Sequence, residues 1–110
     1  MNWNPIENEQ QLGELIKNSH NQVQLIFKHS TRCSISVMAK ARLDKADPIL
    51  NLQSHYLDLL NYRELSNLIA STFHVHHESP QILLIKEGEC IFDESHNAIS
   101  IDAINQQLLS

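Results

Sequence analysis

Phe27-Lys28-His29-Ser30-Thr31-Arg32-Cys33-Ser34-Ile35-Ser36 (FKHSTRCSIS) closes an apolar run and sets one cysteine among hydroxyl and basic residues. Upstream, residues 23–27 (VQLIF) follow a polar stretch and form a short, partly β-branched run suited to a buried strand. Downstream, Ile35, Ala39, Leu43 and Ala46 recur at helical spacing with Met38 beside them, and Asp47 followed by Pro48 supplies a stop. Cys33 therefore falls between a strand and a helix, at the helix N-terminus.

Working outward, Leu12, Leu15 and Ile16 space a short helix over residues 10–18, which Gly13 weakens. Residues 55–60 (HYLDLL) read as a second strand. Asn61 followed by Glu64 resembles a capping box opening a helix with Leu65, Leu68, Ile69 and Phe73 inward. After Ser79 and Pro80, residues 81–86 and 89–94 flank Glu87-Gly88 as a hairpin, and Ser100 caps a last helix carrying Ile101, Ile104 and Leu108. The order is αβαβαββα, an α/β chain.

Its 110 residues suit one compact domain, residues 1–110, with 42% hydrophobic and 19% charged residues typical of a globular protein. No apolar run approaches the roughly 20 residues that cross a bilayer, and the start MNWNPIENEQ lacks the pattern of a secretory signal. The expectation is a soluble, cytoplasmic protein with no membrane role. A formal charge of −5 speaks against general affinity for nucleic acid. Two glycines cannot build a glycine-rich phosphate loop, which excludes the usual ATP and NAD sites. Cys33 and Cys90, far apart in sequence, make a poor disulfide framework and read as reduced thiols.

Within the acidic chain one segment is basic. Lys28, Arg32, Lys40, Arg42 and Lys45 are five of the eight basic residues and face only Asp44 as an acid between positions 28 and 45. Unpaired N–H groups at the helix start and the adjacent Arg32 favour the thiolate of Cys33, the form that acts as nucleophile. The competing reading is a buried structural thiol, against which the polar neighbours Ser30, Thr31, Arg32 and Ser34 argue.

A thiol after the first strand at a helix start, with a proline just before a later strand, resembles the thioredoxin-like fold, a central mixed four-stranded sheet flanked by helices. FKHSTRCSIS, the run His77-Glu78-Ser79-Pro80-Gln81 and the ILLIKEGE hairpin together resemble the YtxJ-like family of monothiol bacilliredoxins. The resemblance implies a thiol-disulfide oxidoreductase that removes bacillithiol, a low-molecular-weight thiol, from protein mixed disulfides. It makes Cys33 the catalytic residue and bacillithiol a thiol co-substrate, with no bound cofactor. Its partners would be bacillithiolated client proteins, a small thiol and another redoxin. Arg32, Ser34, Ser36, Ser79 and Pro80 become the substrate-binding set, with a cis bond before Pro80.

Ser36 stands where a dithiol redoxin carries its resolving cysteine, and a hydroxyl cannot take part in disulfide exchange. Ser34 replaces a proline common in glutaredoxin-like proteins, and the absence of a glycine pair before the last helix speaks against glutathione binding of the glutaredoxin type. The carboxylates of bacillithiol give Lys28, Arg32, Lys40 and Arg42 a physical reason to bind it, with Arg32 the first choice; helix cations otherwise form a solvated face. His74 and His76 alternate toward one side but lack a third ligand, so no metal site is assigned. His29 and His77 are candidates to tune the thiol, and Cys90 reads as a small strand residue. The rival function is a non-enzymatic protein-binding or redox-sensing module on the same scaffold.

Overall fold

The computed structural model describes residues 1–109. In chain order it contains β1 (Trp3–Pro5), α1 (Glu9–Asn18), β2 (Val23–His29), α2 (Ser34–Asp44), β3 (Leu52–Asp58), α3 (Arg63–Phe73), β4 (Gln81–Lys86), β5 (Glu89–Ser95), a 3-10 turn (His96–Ala98) and α4 (Ile101–Leu108). The strands form one sheet in the order β1-β3-β2-β4-β5. β3 runs parallel to β1 and β2, whereas β4 runs antiparallel to β2 and β5.

The sheet thus has five strands, where the sequence pattern supplies four. β1 is three residues long and ends in Pro5, so it carries no propensity signal of its own. Tertiary contacts hold it: the Trp3 ring lies 5.5 Å from Phe27 and 6.4 Å from Tyr56, and its indole N–H donates to Asp44 Oδ1 at 2.6 Å.

Strand alternation divides the core in two. Ile26, Leu57, Leu83 and Ile85 face α1 and α3, meeting Leu12, Leu15, Leu65 and Ile69. Leu25, Phe27, Ile82 and Leu84 face α2 and α4, meeting Ala39, Leu43 and Ile104. β2 is covered on both sides, which explains its continuous apolar run.

Three local readings change, the first being the strand read over residues 55–60, which instead spans Leu52–Asp58 and gives way to a turn at Leu59. α2 turns Ser36, Ala39 and Leu43 inward and leaves Ile35 and Met38 39% and 60% exposed, so the buried stripe begins at the serine rather than at Ile35. α3 starts at Arg63 with Tyr62 as its N-cap, because the Asn61 side chain instead donates to Asp58 Oδ2 at 2.8 Å. The hairpin turn forms as expected, with Glu87 and Gly88 both at positive φ (53° and 77°), the backbone that a two-residue β-turn requires. Ser100 caps α4 by accepting from Ala103 N–H at 3.1 Å.

One end of the sheet gathers the sequence motifs. His29 on β2 pairs with Asp58 on β3, and Lys28 pairs with Gln81 on β4. The segment leading to Cys33, the turn after β3 and the chain entering at Ser79 and Pro80 therefore leave the sheet together.

Candidate active site

Cys33 is the N-cap of α2, in extended backbone (φ −108°, ψ 120°) and half-buried. Its carbonyl accepts from Val37 N–H at 2.9 Å, and its own N–H donates to Ser30 O at 3.3 Å, which folds residues 30–33 into a turn. No side chain caps the helix start and no acidic residue lies in its first turn. The sulfur thus stands beside the positive end of an eleven-residue helix with no carboxylate from that turn to oppose it.

Ser36 is 0% exposed and lies behind the thiol loop rather than in contact with solvent. Its Oγ accepts from Ser30 N–H at 3.0 Å and bonds His29 Nδ1 at 2.7 Å. The hydroxyl is therefore committed to bracing the turn between β2 and α2, and the direct substrate contact expected for Ser36 requires an exposure it does not have. His29 is itself 3% exposed, packed at a tilt against Phe27 and Tyr56 with ring centroids 5.5 Å from each. Burial, and next the nearby Lys40 charge, push its imidazole below the usual range and keep it neutral. Arg32 and Ser34 flank Cys33 and are exposed.

The Ser79–Pro80 peptide is cis. Pro80 is buried, and its carbonyl accepts from His96 N–H at 3.1 Å, tying the proline loop to the 3-10 turn before α4. Ser79 Oγ is buried and has no hydrogen-bond partner among the described residues. Glu78 lies between His96 Nε2 (3.5 Å) and His76 Nε2 (3.8 Å). Gln81 and His96 thus join this loop, contributions that propensity and motif spacing do not reveal.

The basic group of the sequence does not assemble around the thiol. Lys28 is 0% exposed and points to the α3 side, with Nζ donating to Ser66 O at 3.1 Å. Lys40 pairs with Asp44 at 2.6 Å on the helix surface. Arg42 donates to the carbonyls of Ile99 (3.1 Å) and His96 (3.4 Å), which ties α2 to the turn before α4. Alternation along β2 gives the reason for Lys28: it shares the face of Ile26, while His29 shares that of Phe27.

The histidine run also divides. His74 takes the left-handed C-cap of α3 and His76 is exposed, whereas His77 turns inward to Lys28. Among the described residues no group of three His, Cys, Asp or Glu side chains is arranged to hold a metal ion. Among the same residues neither His29 nor His77 is hydrogen bonded to the Cys33 thiol.

Cys90 pairs with Ile85 at the far end of the hairpin, while the Cys33 end of the same ladder is Gln81 with Ser95. The four-residue offset along β4 is about 13 Å, well beyond the roughly 7 Å Cα separation that a disulfide allows. Its thiol donates to Phe92 O at 3.3 Å, and burial pushes it up from the ordinary range.

These features define a thioredoxin-type α/β protein with a cysteine at the start of the second helix and no second thiol within reach of it. Solved structures agree on the fold. A provisionally assigned oxidoreductase with a thioredoxin fold superposes with a TM-score of 0.82 at 28% identity, covering 94% of this chain and 91% of that one. Thioredoxin from Trypanosoma brucei brucei superposes at 0.76 and 14% identity over 98% and 88% of the two chains. Mitochondrial thioredoxin 3 from Saccharomyces cerevisiae, in its oxidized form, gives 0.71 at 18% identity over 96% and 92%. At the level of sequence, the family described as monothiol bacilliredoxin BrxC matches residues 4–104, and the chain belongs to that family. Its function is thiol redox chemistry, and among the described residues no helix is long and apolar enough to cross a membrane.

Proposed function

We propose that this chain is a cytoplasmic monothiol oxidoreductase that removes bacillithiol from protein mixed disulfides through Cys33. The observation that carries the reading is the pairing of a half-buried cysteine at a helix N-terminus with a buried serine, Ser36, three residues on. The Cys33 thiolate attacks the bacillithiol sulfur of a client–S–S–bacillithiol disulfide. The S–S bond breaks, the client leaves as a thiolate that takes a proton from water, and bacillithiol is left in disulfide linkage to Cys33. With no internal thiol to continue, a second small thiolate attacks that disulfide, forming a symmetric small-molecule disulfide and freeing Cys33.

In this reading Arg32 offers an exposed guanidinium to the carboxylates of the small thiol, and Ser79 with Pro80 presents backbone to the client. The test is intact-mass spectrometry after mixing the reduced protein with a client carrying a bacillithiol or, separately, a glutathione mixed disulfide. The expected result is a bacillithiol adduct on Cys33 that persists in Cys90→Ser and vanishes in Cys33→Ser. An absent adduct together with an unreleased client thiol removes the enzyme reading and leaves a binding module.

A further inference from the structure

Two polar side chains buried on the α3 face have no part in the exchange cycle above. Lys28 and Gln81 are register partners on β2 and β4, and they are 0% and 1% exposed. Gln81 spans the segment before the proline: its amide donates to His76 O at 2.9 Å and accepts from Glu78 N–H at 3.4 Å. Lys28 Nζ reaches Ser66 O at 3.1 Å and His77 Nδ1 at 3.3 Å, and Ser66 Oγ lies 3.3 Å from the same Nδ1. An ammonium only donates, so Nδ1 accepts, and the ring is neutral with its proton on Nε2.

The arrangement is costly. Among the described residues no carboxylate is paired with Lys28, and an ammonium out of water without an opposite charge destabilises the fold. Burial lowers Lys28 to about 8. His77 is depressed as well, by burial first and then by the Lys28 charge; Arg63 on α3 and His76 add to this, and Glu78 opposes it. A methionine would fill the strand position without that cost. What the lysine contributes is a connection: it lies five residues before Cys33 on one strand and grips a residue three before Pro80 on another segment.

We propose that Lys28, acting through His77, is a positioning residue that holds the proline loop in place opposite Cys33, so that a client disulfide is aligned for attack. This rests on the exchange reading given above. Lys28 has no exposed surface and touches no substrate; its effect passes through the loop.

The test compares Lys28→Met, His77→Leu, the double variant and His77→Asn, whose amide oxygen can accept the Lys28 hydrogen bond. For a protein mixed disulfide, Lys28→Met and His77→Leu raise KM about tenfold, with kcat changing less. The double variant is no worse than either single change, because both break one strut. His77→Asn stays within about threefold of the parent. Iodoacetamide alkylation of Cys33, which needs no groove, stays within about twofold in all four. Lys28→Met melts at the same temperature as the parent or higher, since a buried charge has gone.

A KM within twofold of the parent in Lys28→Met, losses that multiply in the double variant, or a KM rise matched by a fall in melting temperature would overturn the proposal. The two His77 variants carry the comparison whether or not Lys28→Met folds. Nitrogen-15 NMR of the imidazole needs no turnover at all. The parent shows the Nε2–H tautomer with a depressed titration midpoint that rises in Lys28→Met, and an Nδ1–H tautomer would remove the strut. Failure of the parent to turn over any mixed disulfide, with this NMR result intact, would instead strike the exchange reading.

Discussion

The two cysteines lie at opposite ends of one sheet and show how position sets the surroundings of a thiol. Cys33 occupies the N-cap of α2, half-buried, beside unpaired backbone N–H groups and the exposed Arg32. Cys90 sits within a strand, and burial pushes its thiol away from ionisation. The same side chain is thus placed at a helix start in one case and, in the other, within a strand where burial penalises its anion. The lesson extends to Ser36. It occupies a buried place in the first turn of α2, behind the thiol loop, where its hydroxyl, bonded to His29 and Ser30, braces that loop.

The largest effect expected breaks the symmetry between the thiols. Cys33→Ser should lower release of the client thiol by roughly a thousandfold or more, whereas Cys90→Ser should stay within about twofold, measured as initial rates on a bacillithiolated client. Equal losses would abolish the contrast. With both cysteines intact, iodoacetamide should label Cys33 before Cys90 at pH 7.5, as peptide mapping would report.

A second variant asks whether distance alone separates the two ends. Ser36→Cys supplies a thiol within one helical turn of Cys33, so mild oxidation should yield an intramolecular disulfide that peptide mapping detects. The parent, whose other thiol is Cys90, should yield none.

Ser36→Ala tests the loop directly. It leaves the buried Ser30 N–H and His29 Nδ1 without their shared partner, at a cost of about 1–3 kcal/mol in urea unfolding. A change under about 0.5 kcal/mol would show that the hydroxyl is not what braces the turn.

The smallest effect belongs to the Cys90 end. There the side-chain Oε1 of Gln24, itself paired with Ile85, accepts from His55 Nε2–H at 2.7 Å, and burial holds His55 at about 4. In the unfolded chain the imidazole binds its proton near pH 6.5. Below that value the unfolded state therefore binds more protons than the folded one, and stability falls as the pH drops from about 6.5 toward about 4. The contribution is on the order of 2 kcal/mol after allowing for partial exposure. Replacing His55 with Gln should flatten that part of the profile in denaturant melts at pH 7 and pH 4.5; an unchanged slope would assign the acid sensitivity to His29 and His77.

Much of the fold is legible in the sequence because its elements carry local signals. The apolar run of β2, the helical spacing after Cys33, the Glu87-Gly88 turn and the Ser100 cap each act within a few residues. The placement of Cys33 at a helix start follows from the same local patterns. Lys28 left a trace as well, being the one charge inside a strand buried on both faces, but the trace does not say what it meets.

Tertiary structure decided the rest. β1 exists because Trp3 packs on Phe27 and Tyr56, not because three residues prefer to extend. The basic cluster of the sequence dispersed because neighbouring residues on a strand point to opposite faces and helix cations found their own carboxylate and carbonyl partners. His77 met Lys28 across 49 positions, and Pro80 met His96 across the sheet edge. The sequence by itself determined the order of strands and helices from α1 onward and the position of the thiol, since these rest on spacing and propensity along the chain. Which side chains stand behind that thiol depended on strand register and helix docking, whose energies come from residues far apart in sequence.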